Sequence, residues 1–174
     1  KKSSEEVYVA FISDTHVGNK FFFREDFEKF LKWINGENGS DEQKNIANKI
    51  KYLFISGDLV DGIGIYPGQE NDLQIKDIYE QYNNFVELVK KIPSSINIII
   101  SPGNHDALRL AEPQPAIDKS YVKDLYQMKN VFLVSNPAYI NIQSSMDFNG
   151  FDVLVYHGMS FNYYADNVES IRKE

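Results

Sequence analysis

Three short apolar runs constrain the fold of this chain more than any other feature. Residues 7–12 (VYVAFI), 51–56 (KYLFIS) and 96–100 (INIII) are rich in β-branched and aromatic side chains and read as buried strands. Segments of helical period lie between them. Residues 24–34 put Phe27, Phe30, Leu31 and Ile34 on one helix face. Residues 72–92 repeat Ile75, Ile78, Tyr82, Phe85, Val89 and Ile92 at steps of three or four, which predicts an amphipathic helix ended by Pro93. That stripe reads as core packing. Residues 35–48 (NGENGSDEQKNIAN) are polar and Gly-rich and predict a surface insertion; residues 62–68 predict a loop. A short helix is expected over 121–128, then brief strands over 131–134, 138–142 and 151–156, with Gly150 at a hairpin turn before the last. Helices alternate with strands early and strands cluster late. This order predicts a layered α/β domain with mixed strand directions.

The 174 residues suffice for one domain with a full core. An apolar share of 43% excludes a wholly disordered chain. No run is long enough to span a bilayer, so no membrane partner is expected. The opening KKSSEE has no apolar stretch and does not read as a signal peptide. The absence of cysteine excludes disulfides and thiolate chemistry and fits a cytoplasmic protein. The net charge of −7 argues against broad nucleic-acid binding, unless cations neutralise some of the aspartates.

The strand ends carry the functional signal. The first strand runs into Ser13, Asp14, Thr15 and His16; the second into Gly57, Asp58 and, three residues on, Asp61. The third runs into Gly103, Asn104, His105 and Asp106, and the last into His157. All three histidines of the chain are in this set. In open α/β sheets, ligand groups collect beyond the carboxyl ends of the strands. Each residue taken alone has an ordinary reading. Asp14 reads as a turn or cap residue, and Asn104 as the holder of a left-handed turn. Asp58 with Asp61 reads as a solvated turn, His16 as a surface histidine and His157 as a structural donor. Together, four strand ends bearing Asp, His and Asn point to a site for divalent metals of the Mn, Fe, Zn or Ni kind. Asp58 is the natural bridge between two ions, a pairing that activates water and offsets the charge of an in-line displacement at phosphorus.

The series DTH, GDLVD, GNHD and a lone later His resembles the calcineurin-like metallophosphoesterases. The resemblance covers nearly the whole chain and implies a four-layered α/β sandwich with mixed β-sheets, here 1–174, around a dinuclear centre. Carried over, Asp14 and His16 bind the first ion, Asp58 bridges, and Asn104 and His157 bind the second. His105 contacts the phosphoryl group as a general acid or transition-state donor, and Asp61 orients it. The family pattern adds a G-x-H-x-H segment, but no histidine follows His157 here, so the domain is expected to be incomplete, truncated before that motif.

Longer stretches (FISDTHVG, GDLVDGIGIYPGQE, SPGNHDALR, YHGMSFN) resemble the small-subunit family of archaeal family D DNA polymerases. That likeness implies a 3′→5′ exonuclease using two divalent ions, Mn²⁺ foremost with Fe, Zn, Ni or Mg as alternatives. Its implied partners are a DNA 3′ end and a large catalytic subunit. Two other functions stay open: a non-catalytic structural subunit, or an enzyme acting on another phosphoester. Arg109 is a candidate phosphate contact, its ordinary alternative being a salt bridge. Tyr66, Phe161, Tyr163 and Tyr164 are candidates for base stacking, with packing as their alternative.

Overall fold

The computed structural model describes residues 6–172, so the opening stretch read above for a signal lies almost wholly outside the described residues. Strands β1 (Tyr8–Ile12), β2 (Ile50–Ser56), β3 (Asn97–Ser101) and β4 (Val131–Leu133) form one parallel sheet in that order. Strands β5 (Ala138–Ile142) and β6 (Phe151–Val155) form a separate antiparallel pair. Both strand directions are therefore present, each in its own sheet. Helices α1 (Arg24–Ile34), α2 (Asp41–Lys49) and α3 (Ile78–Val89) lie in the crossovers that parallel strands require. Helices α4 (Ser160–Asn167) and α5 (Glu169–Arg172) follow β6.

The central strands are buried on both faces, and their alternation splits the core in two. Leu53, Ile55, Ile98 and Ile100 join Leu31 and Ile34 of α1 and Tyr82, Phe85, Leu88 and Val89 of α3 in the larger cluster. Phe54 and Ile99 point the other way and meet Ile142 of β5 and Val155 of β6. Helices, sheet and second sheet are thus stacked as layers.

Helix α1 has the predicted bounds. Three other segments differ from expectation. The supposed insertion 35–48 contains α2, nucleated by a capping box: Ser40 Oγ accepts from Gln43 N–H, and Gln43 Oε1 accepts from Ser40 N–H. The long helix over 72–92 is shorter than predicted and starts at Ile78, where the Asp77 side chain accepts from Glu80 N–H. Residues before it are captured by the first strand-end loop, since Gln74 and Ile75 N–H both donate to the Gly18 carbonyl and Lys20 N–H donates to that of Asp72. Over 121–128 only a 3₁₀ turn, Leu125–Gln127, forms.

The register places the site. Ile12 pairs with Ile55, Ile55 with Ile100, and Ser56 with Ser101, so β1, β2 and β3 end at one level. The loops continue the ladder: Asp14 N–H donates to Gly57 O, His16 N–H to Asp58 O and Val17 N–H to Leu59 O.

Candidate metal centre

Asp14, His16 and Asp58 are held in left-handed backbone conformations, with φ of 54°, 45° and 51°. Non-glycine residues seldom adopt positive φ, and each such residue costs on the order of 1–3 kcal/mol unless its surroundings enforce it. Of the four positive-φ non-glycine residues described, three belong to this cluster. The ladder bonds above and the Thr15 hydroxyl, which donates to Leu59 O at 2.7 Å, enforce them here. Gly57 and Gly103 let the loops close. A Cβ on Gly103 would collide with the Asp58 carboxylate, and one on Gly57 with the His157 ring.

Two groups of potential ligand atoms converge: Asp14 with Asp58 and His157, and His16 with Asp61 and His105. Hydrogen bonds identify which atoms are free to bind a cation. His157 Nδ1 lies 2.9 Å from the Ser56 carbonyl, which can only accept, so Nδ1 carries the hydrogen. Its Nε2 then points at Asn104 Oδ1 (3.0 Å) and Asp58 Oδ1 (3.4 Å). His16 Nδ1 likewise donates to Asp61 Oδ1 at 3.1 Å, leaving Nε2 facing Asp58 Oδ2 (3.6 Å) and Asp14 Oδ1 (3.8 Å). In both places acceptor atoms face one another, an arrangement that a cation or a proton completes.

Without a metal the proton takes that place at His157. The hydrogen bond to Asp58 raises the His157 pKa to about 9. Burial pushes the Asp58 carboxyl up, but hydrogen bonds from the His157 side chain and the His105 N–H outweigh it and hold the group below its ordinary value. Divalent ions fit this donor set: oxygen and imidazole atoms, with the two oxygens of Asp58 turned to opposite sides. Ion binding at such a site releases the proton it replaces.

His105 was expected to be oriented by the Asp61 carboxylate. Instead its Nδ1 donates to the Asp61 backbone carbonyl at 2.8 Å, while Asp61 Oδ1 stands 3.8 Å away. The carboxylate is committed elsewhere. Oδ1 accepts from His16 Nδ1 and from Asn19 Nδ2 at 3.0 Å, and Oδ2 accepts from Gln69 Nε2 at 2.9 Å. A buried carboxylate with these partners positions an imidazole. The His16 and His105 rings meet edge to face, 4.5 Å between centroids.

Several buried polar residues support this geometry: Asp106 closes the GNHD series, whereas Gln81, Gln114 and Asn136 have no motif to announce them. Asp106 Oδ2 accepts from the N–H groups of Gly103 (2.8 Å) and Leu59 (3.3 Å), and Oδ1 from the Tyr82 hydroxyl (3.2 Å), so it ties the second and third strand-end loops together. Burial pushes the Asp106 carboxyl up to about 7. Asn136 accepts from His157 N–H at 2.9 Å and donates to Gln114. Gln81, on α3, bonds both polar backbone groups of Gly62. The available signal was a glutamine and a tyrosine hydroxyl on the apolar face of a helix whose Glu80, Asn83 and Glu87 lie on the exposed side.

The other candidates divide. Tyr66 lines the same cavity as Asp14, His16, Asp61 and His105, and its ring centroid is 6.3 Å from that of His105. The Arg109 guanidinium donates to the Pro113 carbonyl, and no salt bridge of it is found among the described residues. Phe161, Tyr163 and Tyr164 stand exposed on α4, outside that cavity.

The parallel sheet, the strand-end loops and the DTH, GDLVD and GNHD series belong together in one class. The chain is a member of the calcineurin-like phosphoesterase family, whose family model matches residues 7–174. Among curated proteins it is similar to several named DNA polymerase II small subunit. That of Methanothermobacter thermautotrophicus is 49% identical over 95% of this chain, and that of Methanocaldococcus jannaschii 48% over 100%. That of Archaeoglobus fulgidus is 48% identical over 92%. The chain spans 33%, 28% and 31% of these relatives' lengths respectively, a third or less of each. No described helix is long and apolar enough to cross a membrane.

Proposed function

We propose that this chain carries the hydrolytic centre of a metal-dependent phosphodiesterase that acts as a 3′→5′ DNA exonuclease and proofreads within a replicative DNA polymerase. The observation that carries the reading is the Asp58 carboxylate. Its Oδ2 faces the His16 side and its Oδ1 the His157 side, in a cluster whose facing acceptor atoms suit a cation on each side. Asp14 and His16 would hold one divalent ion and Asn104 and His157 the other, with Asp58 placed to serve both. Mn²⁺ is the first choice, with Fe, Zn, Ni or Mg chemically admissible. When bound, the ions supply positive charge for the phosphoryl oxygens and make water acidic enough to attack near neutral pH.

The protein's own groups do the rest. His105, held through Nδ1 by the Asp61 carbonyl, turns its other ring nitrogen to the phosphoryl group. As an imidazolium it gives a proton to the departing 3′ oxygen. Asp61 fixes both histidines, His16 through its carboxylate and His105 through its carbonyl. The relatives' name supports a polymerase setting with a larger partner subunit; within that setting this reading takes the large subunit as the catalytic one and a DNA 3′ end as the substrate.

The test is a time course on a 5′-labelled primer-template with a 3′ mismatch, using the full-length protein with Mn²⁺ or chelator. Stepwise, Mn²⁺-dependent shortening that is absent in Asp58→Asn is expected. Hydrolysis of small phosphoesters without DNA shortening would move the substrate elsewhere. A metal-loaded protein that cleaves neither would be a structural subunit.

A further inference from the structure

Building on the exonuclease reading, we propose that the aromatic groove beside the metal centre seats the unpaired base at the 3′ end. The cavity lined by Asp14, His16, Asp61 and His105 continues into a wall made by Phe21, Phe22 and Phe23 with Phe27 and Phe30 of α1. Its volume is about 750 Å³, within the range of small-molecule sites. Phe21 is 64% exposed and Phe23 74%, so two large rings face open space next to a polar centre. Tyr66 stands on the same cavity.

The aromatic loop is fixed to the metal centre. Asn19 donates from Nδ2 to Asp61 Oδ1, the oxygen that also accepts from His16, while Asn19 Oδ1 accepts from Phe21 N–H at 2.8 Å. Phe22 N–H donates to the Asn19 carbonyl at 3.1 Å. One asparagine therefore sets the loop relative to the centre. Lys20 Nζ lies 4.9 Å from the centre of the Phe21 ring and 2.7 Å from Asp72, so a positive charge borders the loop.

These features select the occupant. A terminal nucleotide offers a flat π-face joined to a phosphate, in the order in which the cavity offers rings and then the cation centre. Stacking accepts any base, because every base has a π-face. An end that has lost its pairing exposes that face, whereas a paired end keeps it within the duplex. The groove thus gives the exonuclease a means of preferring frayed or mismatched ends without reading sequence.

The test places 2-aminopurine, whose fluorescence falls on stacking, at the unpaired 3′ end of a primer-template. Binding to full-length protein is followed under chelator, and shortening is then started with Mn²⁺. Quenching on binding is expected, and its loss in Phe21→Ala/Phe23→Ala. The ratio of kcat/KM for a base-bearing over an abasic 3′ end is expected to fall from about ten to about one in that variant. Shortening by the wild type without quenching overturns the base site and spares the exonuclease reading. Quenching that depends on the two phenylalanines without shortening does the reverse. If the variant loses several degrees of Tm and its rates on both ends fall equally, the groove packs against protein and the inference is wrong.

Discussion

The two sides of the metal centre are built differently. On one side, the side chains of Asp58 and His157 are only 5% and 7% exposed. They stand at the ends of β2, in the middle of the parallel sheet, and of β6, in the second sheet, and are closed in by Gly57, Gly103 and Asn136. On the other side, the side chains of Asp14 and His16 are 53% and 28% exposed, beyond β1 at the sheet edge. The closed side is fixed by packing, so its charges depend on one another. The open side borders the aromatic groove, where a substrate can arrive. Asp58 belongs to both.

The largest effect should follow from breaking the shared residue. Asp58→Asn is expected to abolish metal-dependent hydrolysis and to lower ion uptake on both sides, measured by calorimetric titration. Retained uptake of two ions would contradict the bridge. His105→Ala comes next. Turnover should fall about 10²–10⁴-fold while metal uptake stays close to wild type; a matching loss of metal would make His105 a ligand.

Asp61→Asn sharpens the comparison by acting on the open side alone. Metal affinity there should fall about 10–100-fold, as for other residues that orient a histidine ligand, with the closed-side ion unchanged. Gly103→Ala strains the closed side directly, and the open side only through Asp58. Its Cβ meets the Asp58 carboxylate, so a loss of about 1–3 kcal/mol, or roughly 3–10 °C in Tm, is expected. An unchanged Tm would mean that the closed side is not tightly packed. Tyr82→Phe removes one of three donors to Asp106 and should cost about 1 kcal/mol, read as a Tm shift of roughly 2–4 °C.

What the sequence made legible follows the same division between pattern and contact. Helix α1 was readable to its ends because Phe27, Phe30, Leu31 and Ile34 repeat at helical steps. The strand-end residues were readable because Asp, His and Asn follow apolar runs, and the fold brings Asp14, His16, Asp58, Asn104 and His157 together. Helix α2 was hidden by composition, although Ser40 and Gln43 spell a capping box. The first part of the 72–92 stripe is not helix because its N–H groups donate to Gly18, a contact invisible in one dimension. That the Asp61 carboxylate serves His16 while its carbonyl serves His105 depends on loop path. Residue types do not encode it. Phe21, Phe22 and Phe23 have no periodic signature and gain meaning only from the cavity they share with His16 and His105.

The central claim is that Asp58 joins two cation sites, one closed and one open. Crystals soaked in Mn²⁺ and measured for anomalous scattering at the manganese edge test it most directly. The account predicts two peaks flanking the Asp58 carboxylate, one beside Asp14 and His16 and the other beside Asn104 and His157. A single peak, or a pair that does not share Asp58, would contradict it.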